Sequence, residues 1–119
     1  MKFTVPGHPI PAVRMTRRGK FVKKAAGRYL AYKNHIGWCA KAAGVKQITG
    51  DVVVIGTAYI YGRSGDIDNL AKAWLDGLNG IAWIDDRQVK RLIVEKRKVT
   101  TKEAERAEIE IQEAKLNEI

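Results

Sequence analysis

Four aspartates fall in two tight pairs, Asp66 with Asp68 and Asp85 with Asp86, on either side of one predicted helix. Asp66 and Asp68 are two residues apart, directly after a predicted strand. An extended backbone there points both carboxylates to the same side. The helix is expected from Asn69 to Leu78, and Asn79-Gly80 lets the chain reverse behind it. A return through Ile81–Ile84 would then bring Asp85 and Asp86 beside the first pair. Carboxylates gathered at one point repel one another, and a divalent cation relieves that repulsion. Oxygen-only ligation, with neither thiolate nor paired imidazole, selects Mg2+ or Mn2+ over zinc. Beside a basic surface, such a cation suits phosphodiester cleavage, because it generates hydroxide and steadies the charge of the transition state. Lys72, one helical turn beyond Asp68, could neutralise the scissile phosphate or help orient the water.

Each of these residues also has a purely structural reading. Asp68 sits where a helix N-cap belongs. Asp85-Asp86 alone makes a turn before a strand. Asp76, four residues beyond Lys72, reads as an exposed ion-pair partner. His8 and His35 lack ligand spacing and read as surface or packing residues. Cys39, the single cysteine, reads as a small helix residue and excludes an intrachain disulfide or a cysteine-built zinc site. Trp38 and Trp74 are assigned to the core, while Trp83 could brace the acidic turn.

The elements that must position these groups belong to a chain of 119 residues, read as one domain spanning 1–119. Apolar residues make up 45% and charged residues 29%, which suits a globular chain rather than a disordered one. No apolar run reaches the ~20 residues needed to cross a bilayer. Met1–Pro6 lacks the apolar stretch of a secretory signal, so a cytoplasmic location is the expectation. The net charge of +9 is unevenly placed: residues 1–50 carry +11 with no acid, and residues 51–119 carry −2. The acid-free half holds Arg14, Arg17, Arg18, Lys20, Lys23 and Lys24 in a stretch that would attract a polyanion, nucleic acid being the commonest.

Lys2–Val5 predicts a short strand stopped by Pro6. Residues 6–24, with three prolines and the basic cluster, predict a long loop or irregular arm. Tyr29, Tyr32, Ile36, Ala40 and Ala43 recur at helical spacing over 25–43, ended by Gly44. Val52–Tyr61 predicts a central strand, apolar on both faces. Val89–Lys96 predicts another strand. Arg106–Gln112 alternates Ala107, Ile109 and Ile111 with Glu108 and Glu110, the pattern of a half-buried strand. The fold class expected is α+β: a single domain with two helices packed on a small mixed sheet.

The run Asp66-Ile67-Asp68-Asn69-Leu70-Ala71-Lys72-Ala73-Trp74-Leu75-Asp76-Gly77-Leu78, then Asp85-Asp86-Arg87-Gln88-Val89, resembles the signature of RusA-type Holliday junction resolvases of bacteria and phages. The opening Phe3-Thr4-Val5-Pro6-Gly7-His8-Pro9-Ile10-Pro11, with Arg14 soon after, is similar to that family's N-terminus. Many relatives carry basic residues just before the first aspartate, where this chain has Ser64-Gly65. The resemblance implies a homodimeric, Mg2+-dependent endonuclease (Mn2+ being the alternative cation) that resolves four-way DNA junctions by paired symmetric nicks in recombination and repair. It implies Asp66, Asp68 and Asp86 as the essential acids and Lys72 as the family's conserved lysine. Asp85 would share the metal or shape the turn, and the basic arm would embrace the junction. Two other readings compete: a non-catalytic junction-binding protein, and a metal-dependent nuclease acting on other branched DNA or on RNA.

Overall fold

The structure, a computed structural model, describes residues 1–13 and 20–114. Strand β1 (Lys2–Pro6) leads to helix α1 (Lys20–Ala42), strand β2 (Val52–Ile60), helix α2 (Ile67–Leu78) and strands β3 (Val89–Lys98) and β4 (Arg106–Glu113). The four strands form one sheet in the order β1-β4-β2-β3. β2 runs parallel to β3 and antiparallel to β4, and β1 is antiparallel to β4. This is the α+β fold with two helices on a mixed sheet, and β2 lies inside it as its apolar faces require. Pro6 closes β1 on the outer edge, where a missing N–H costs no ladder bond.

Phe3, Ile109 and Gly56 lie in one row across β1, β4 and β2, on the face that the helices cover. Trp74 of α2 rests on Gly56 so closely that a Cβ there would lie 2.4 Å from a ring carbon. α1 packs on α2 at Gly77, where an added Cβ would meet Ile36 at 2.9 Å. Val5, Ile36, Leu70, Trp74, Leu78 and Trp83 are completely buried. Burying side chains of this size contributes about 1.5–3 kcal/mol each against the entropy of ordering the chain.

Two expectations need correction. The basic segment is not irregular as far as residue 24, because α1 starts at Lys20. No proline follows Pro11, and the Lys and Ala residues of 20–26 are good helix formers that carry the helix upstream. Gly44 ends it as expected, at φ 81°, with Val45 N–H bonded to Ala40 O and Gly44 N–H to Lys41 O. Trp38 is not in the core: it is 70% exposed. It follows the buried Ile36 by two residues, roughly 200° around the helix, on the outer face.

Candidate active site

α2 begins one residue after Asp66, which is its N-cap, so the cap is Asp66 rather than Asp68. The first helical bond runs from Leu70 N–H to Asp66 O at 3.0 Å. Gly65 fixes the approach: Pro11 lies against its Cα, and its carbonyl accepts from Lys96 Nζ at 3.0 Å. The Asp66 carboxylate makes no capping hydrogen bond and has no hydrogen-bond partner among the described residues. Asp68, in the first turn, is also exposed. Two negative charges beside the positive end of a helix are electrostatically favoured.

Lys72 faces along the helix. Its Nζ lies 2.9 Å from Asp76 Oδ2, the ion pair that the four-residue spacing predicts. Tyr29 Oη of α1 donates to the same carboxylate oxygen. Burial, reinforced by Asp76, pushes the Tyr29 phenol above its ordinary pKa. The Asp76 carboxylate is therefore bonded from both helices, and Lys72 is tethered to it.

Asp85 and Asp86 sit in a tightly bonded turn before β3. Gly80 (φ 83°) turns the chain out of α2, and Ala82 and Trp83 are then buried. Asp85 caps the short 3-10 turn Asp86–Gln88, accepting from Arg87 N–H at 2.9 Å. That bond and the Arg87 guanidinium hold the Asp85 carboxyl below the usual carboxylate range. Asp86 Oδ1 accepts from Trp83 Nε1 at 2.8 Å, so a buried indole does brace the acidic turn. Gln88 is a residue whose role the sequence did not reveal. Its oxygen accepts from Ile84 N–H and Asp85 N–H, and its amide donates to Ile48 O and Gly50 O.

The chain does not bring the two acidic pairs together as expected. α2 has 12 residues and is about 18 Å long. Asp66 and Asp68 stand at its start, beyond the end of β2, whereas Asp85 and Asp86 precede β3. Because β3 is parallel to β2, its first residue lies at the opposite end of the sheet. Lys96, which reaches Gly65, is seven residues along β3 from Val89, ~23 Å of strand. Among the described residues, no three His, Cys, Asp or Glu side chains are grouped to hold a metal ion. The oxygen donors suit a hard cation in chemistry, but the described chain does not converge them on one.

Of the predicted basic residues, Arg14, Arg17 and Arg18 lie outside the described residues. Lys20 and Lys23 fall at the start of α1, and Lys24 is exposed. The structure adds a second basic surface that sequence reasoning missed. Edge strand β3 exposes Lys90, Arg91, Lys96, Arg97 and Lys98, with Glu95 as its one acid. That density of cations on an edge strand was the available signal, since edges use charge to repel other strands and leave it open to a polyanion.

A parallel βαβ unit with carboxylates at both ends and a cationic edge strand defines a domain of the class that meets polyanions. The family model for endodeoxyribonuclease RusA matches residues 6–112, nearly the whole chain. The protein belongs to the RusA endodeoxyribonuclease family, a family of nucleases that act on DNA. No individual curated protein matches the chain.

Proposed function

We propose that the protein is a homodimeric endonuclease that resolves four-way DNA junctions, with each active site built from two chains. Asp66 and Asp68 of one protomer would join Asp86 of the partner subunit. The observation that carries this reading is the separation of the two acidic pairs by the length of α2 within a chain whose family is endodeoxyribonucleolytic. A two-fold dimer that places the start of one α2 beside the acidic turn of the other chain completes two sites at once. Two dyad-related sites also match two symmetric cuts in a two-fold junction.

Mg2+, or Mn2+ in its place, held by this all-oxygen set would supply an activated water and offset charge on the phosphate under attack. The chain's own residues do the positioning. Trp83 orients Asp86 through its indole N–H. Asp85 spends its carboxylate on the Arg87 turn, which makes it a shaper of the site more than a ligand. Lys72, held by Asp76 one turn from Asp68, can exchange that partner for a DNA phosphate. The β3 cations and the basic stretch from Arg14 to Lys24 supply backbone contacts that need no base sequence.

The test is cleavage of a synthetic mobile four-way junction with Mg2+, beside linear duplex and an EDTA control. Paired symmetric nicks confined to the junction and lost in EDTA are expected. Tight binding with no product under either cation would leave Asp66 and Asp85 as caps alone and make the protein a non-catalytic junction binder. Cleavage of flaps, forks or RNA in preference to the junction would reassign the substrate.

A further inference from the structure

Trp38 is the most exposed large aromatic among the described residues, 70% exposed on the outer face of α1. Lys41 Nζ stands 5.4 Å from its ring centroid. The indole forms one wall of a shallow cavity of about 270 Å3, lined also by Lys33, Asn34, Lys41, Asp76 and Asn79. Ile81 and the close helix contact at Gly37 and Gly77 complete the lining, a Cβ at Gly37 meeting Ile81 at 2.8 Å. Asp76 is the only acid there, and Lys72 and Tyr29 already occupy its carboxylate. The cavity therefore offers an apolar plate, two ammonium groups and two side-chain amides.

We propose that this cavity is a stacking site for a single unpaired DNA base, with Trp38 as the platform. Every base has a π-face that stacks on an indole, while Lys33 and Lys41 would meet the flanking phosphates. Asn34 and Asn79 each carry a donor and an acceptor for a base edge. The volume is below the range of drug-sized ligand pockets, as a site for one base requires. The charge argues against a second copy of the chain as occupant. A two-fold contact through this patch would crowd the Lys33 and Lys41 ammonium groups of both copies into one interface. Placement gives the site a purpose: it shares Asp76 with the Lys72 ion pair. A base unstacked at a branch point would thus be captured next to Lys72. This inference rests on DNA being the substrate, as proposed above.

The experiment is tryptophan fluorescence with a short oligothymidylate, on the full chain in EDTA so that no cleavage occurs. Trp74 and Trp83 are fully buried, so quenching by acrylamide reports chiefly on Trp38. Saturable protection of the indole by the oligonucleotide is expected. Trp38→Leu should weaken binding about tenfold by anisotropy of a labelled oligonucleotide, and Trp38→Phe should retain most of the affinity. Thermal unfolding of both variants should match wild type, because the side chain is exposed. Wild-type affinity in Trp38→Leu would overturn the proposal. So would protection that grows with protein concentration in the absence of DNA, which would mark a self-contact. Junction cleavage without indole protection would sink the stacking site alone, and protection without junction cleavage would sink the resolvase reading alone.

Discussion

Gln88→Ala removes four hydrogen bonds from the turn that carries Asp85 and Asp86. Two are accepted from Ile84 N–H at 2.8 Å and Asp85 N–H at 3.0 Å, and two are donated to Ile48 O and Gly50 O at 2.8 Å each. At about 1 kcal/mol per neutral bond the sum approaches 4 kcal/mol. Gln88 is half-buried and water can reach some of the freed groups, so about 2–3 kcal/mol is the expected loss. For a chain of this length that lowers the melting temperature by roughly 10 °C. Gln88→Glu separates the two halves of the clamp. It keeps both acceptor bonds but turns a carboxylate oxygen toward the Ile48 and Gly50 carbonyls. That contact disfavours the charged form and raises the introduced carboxyl's folded pKa above its unfolded value, so the variant should recover stability as pH falls toward about 4. Urea unfolding of the three proteins at pH 7 and pH 4 measures both effects. A loss under ~0.5 kcal/mol for Gln88→Ala, or a Gln88→Glu variant that weakens further in acid relative to wild type, would refute the reasoning.

Two further predictions concern the frame around the site. Glu105 is buried, accepting from Tyr61 N–H at 3.1 Å and paired with His8. Burial alone would raise its pKa, but the His8 and Tyr61 bonds outweigh it and the carboxyl is held low. A depressed folded pKa stabilises fully above the unfolded value of about 4.3 and is lost as pH falls through the folded one. The stability gap between wild type and Glu105→Gln should therefore shrink as pH falls below the ordinary carboxylate range. A gap independent of pH would contradict this. Gly56→Ala should destabilise by about 1–3 kcal/mol, because the new methyl would lie 2.4 Å from the Trp74 ring and must push α2 off the sheet. A neutral effect in thermal unfolding would mean that α2 is less tightly seated than described.

Local patterns made most of the fold legible. The alternation of Ala107, Ile109 and Ile111 with Glu108 and Glu110 could fit only a half-buried strand, and the apolar run of Val52–Ile60 only an interior one. The start of α1 was hidden because a cluster of cations reads as a polyanion surface whether or not its backbone is helical. Trp38 was misplaced by residue type, although its two-residue offset from Ile36 already put it on the far face. The candidate acids were legible as residues but not as a site. Whether Asp86 returns to Asp66 depends on the direction of β3, and β3 runs parallel to β2. A parallel neighbour must begin at the far end of the sheet, after a full crossover. Nothing local to Asn79–Ile84 distinguishes that path from a hairpin return. Gln88 was equally opaque, since its partners Ile48 and Gly50 lie far upstream in sequence.

Subunit complementation tests the composite site most directly. Asp68→Asn and Asp86→Asn each remove one acidic charge while leaving the basic surfaces intact, and each variant alone should bind the junction without cutting it. Unfolding and refolding the two together forms mixed dimers. In a mixed dimer, Asp66 and Asp68 of the Asp86→Asn chain meet Asp86 of the Asp68→Asn chain, so one site is whole and the other doubly defective. With random pairing, nicking should return to about a quarter of the wild-type level, as single nicks in place of paired ones. A mixture as inactive as either variant alone would contradict a site shared between subunits.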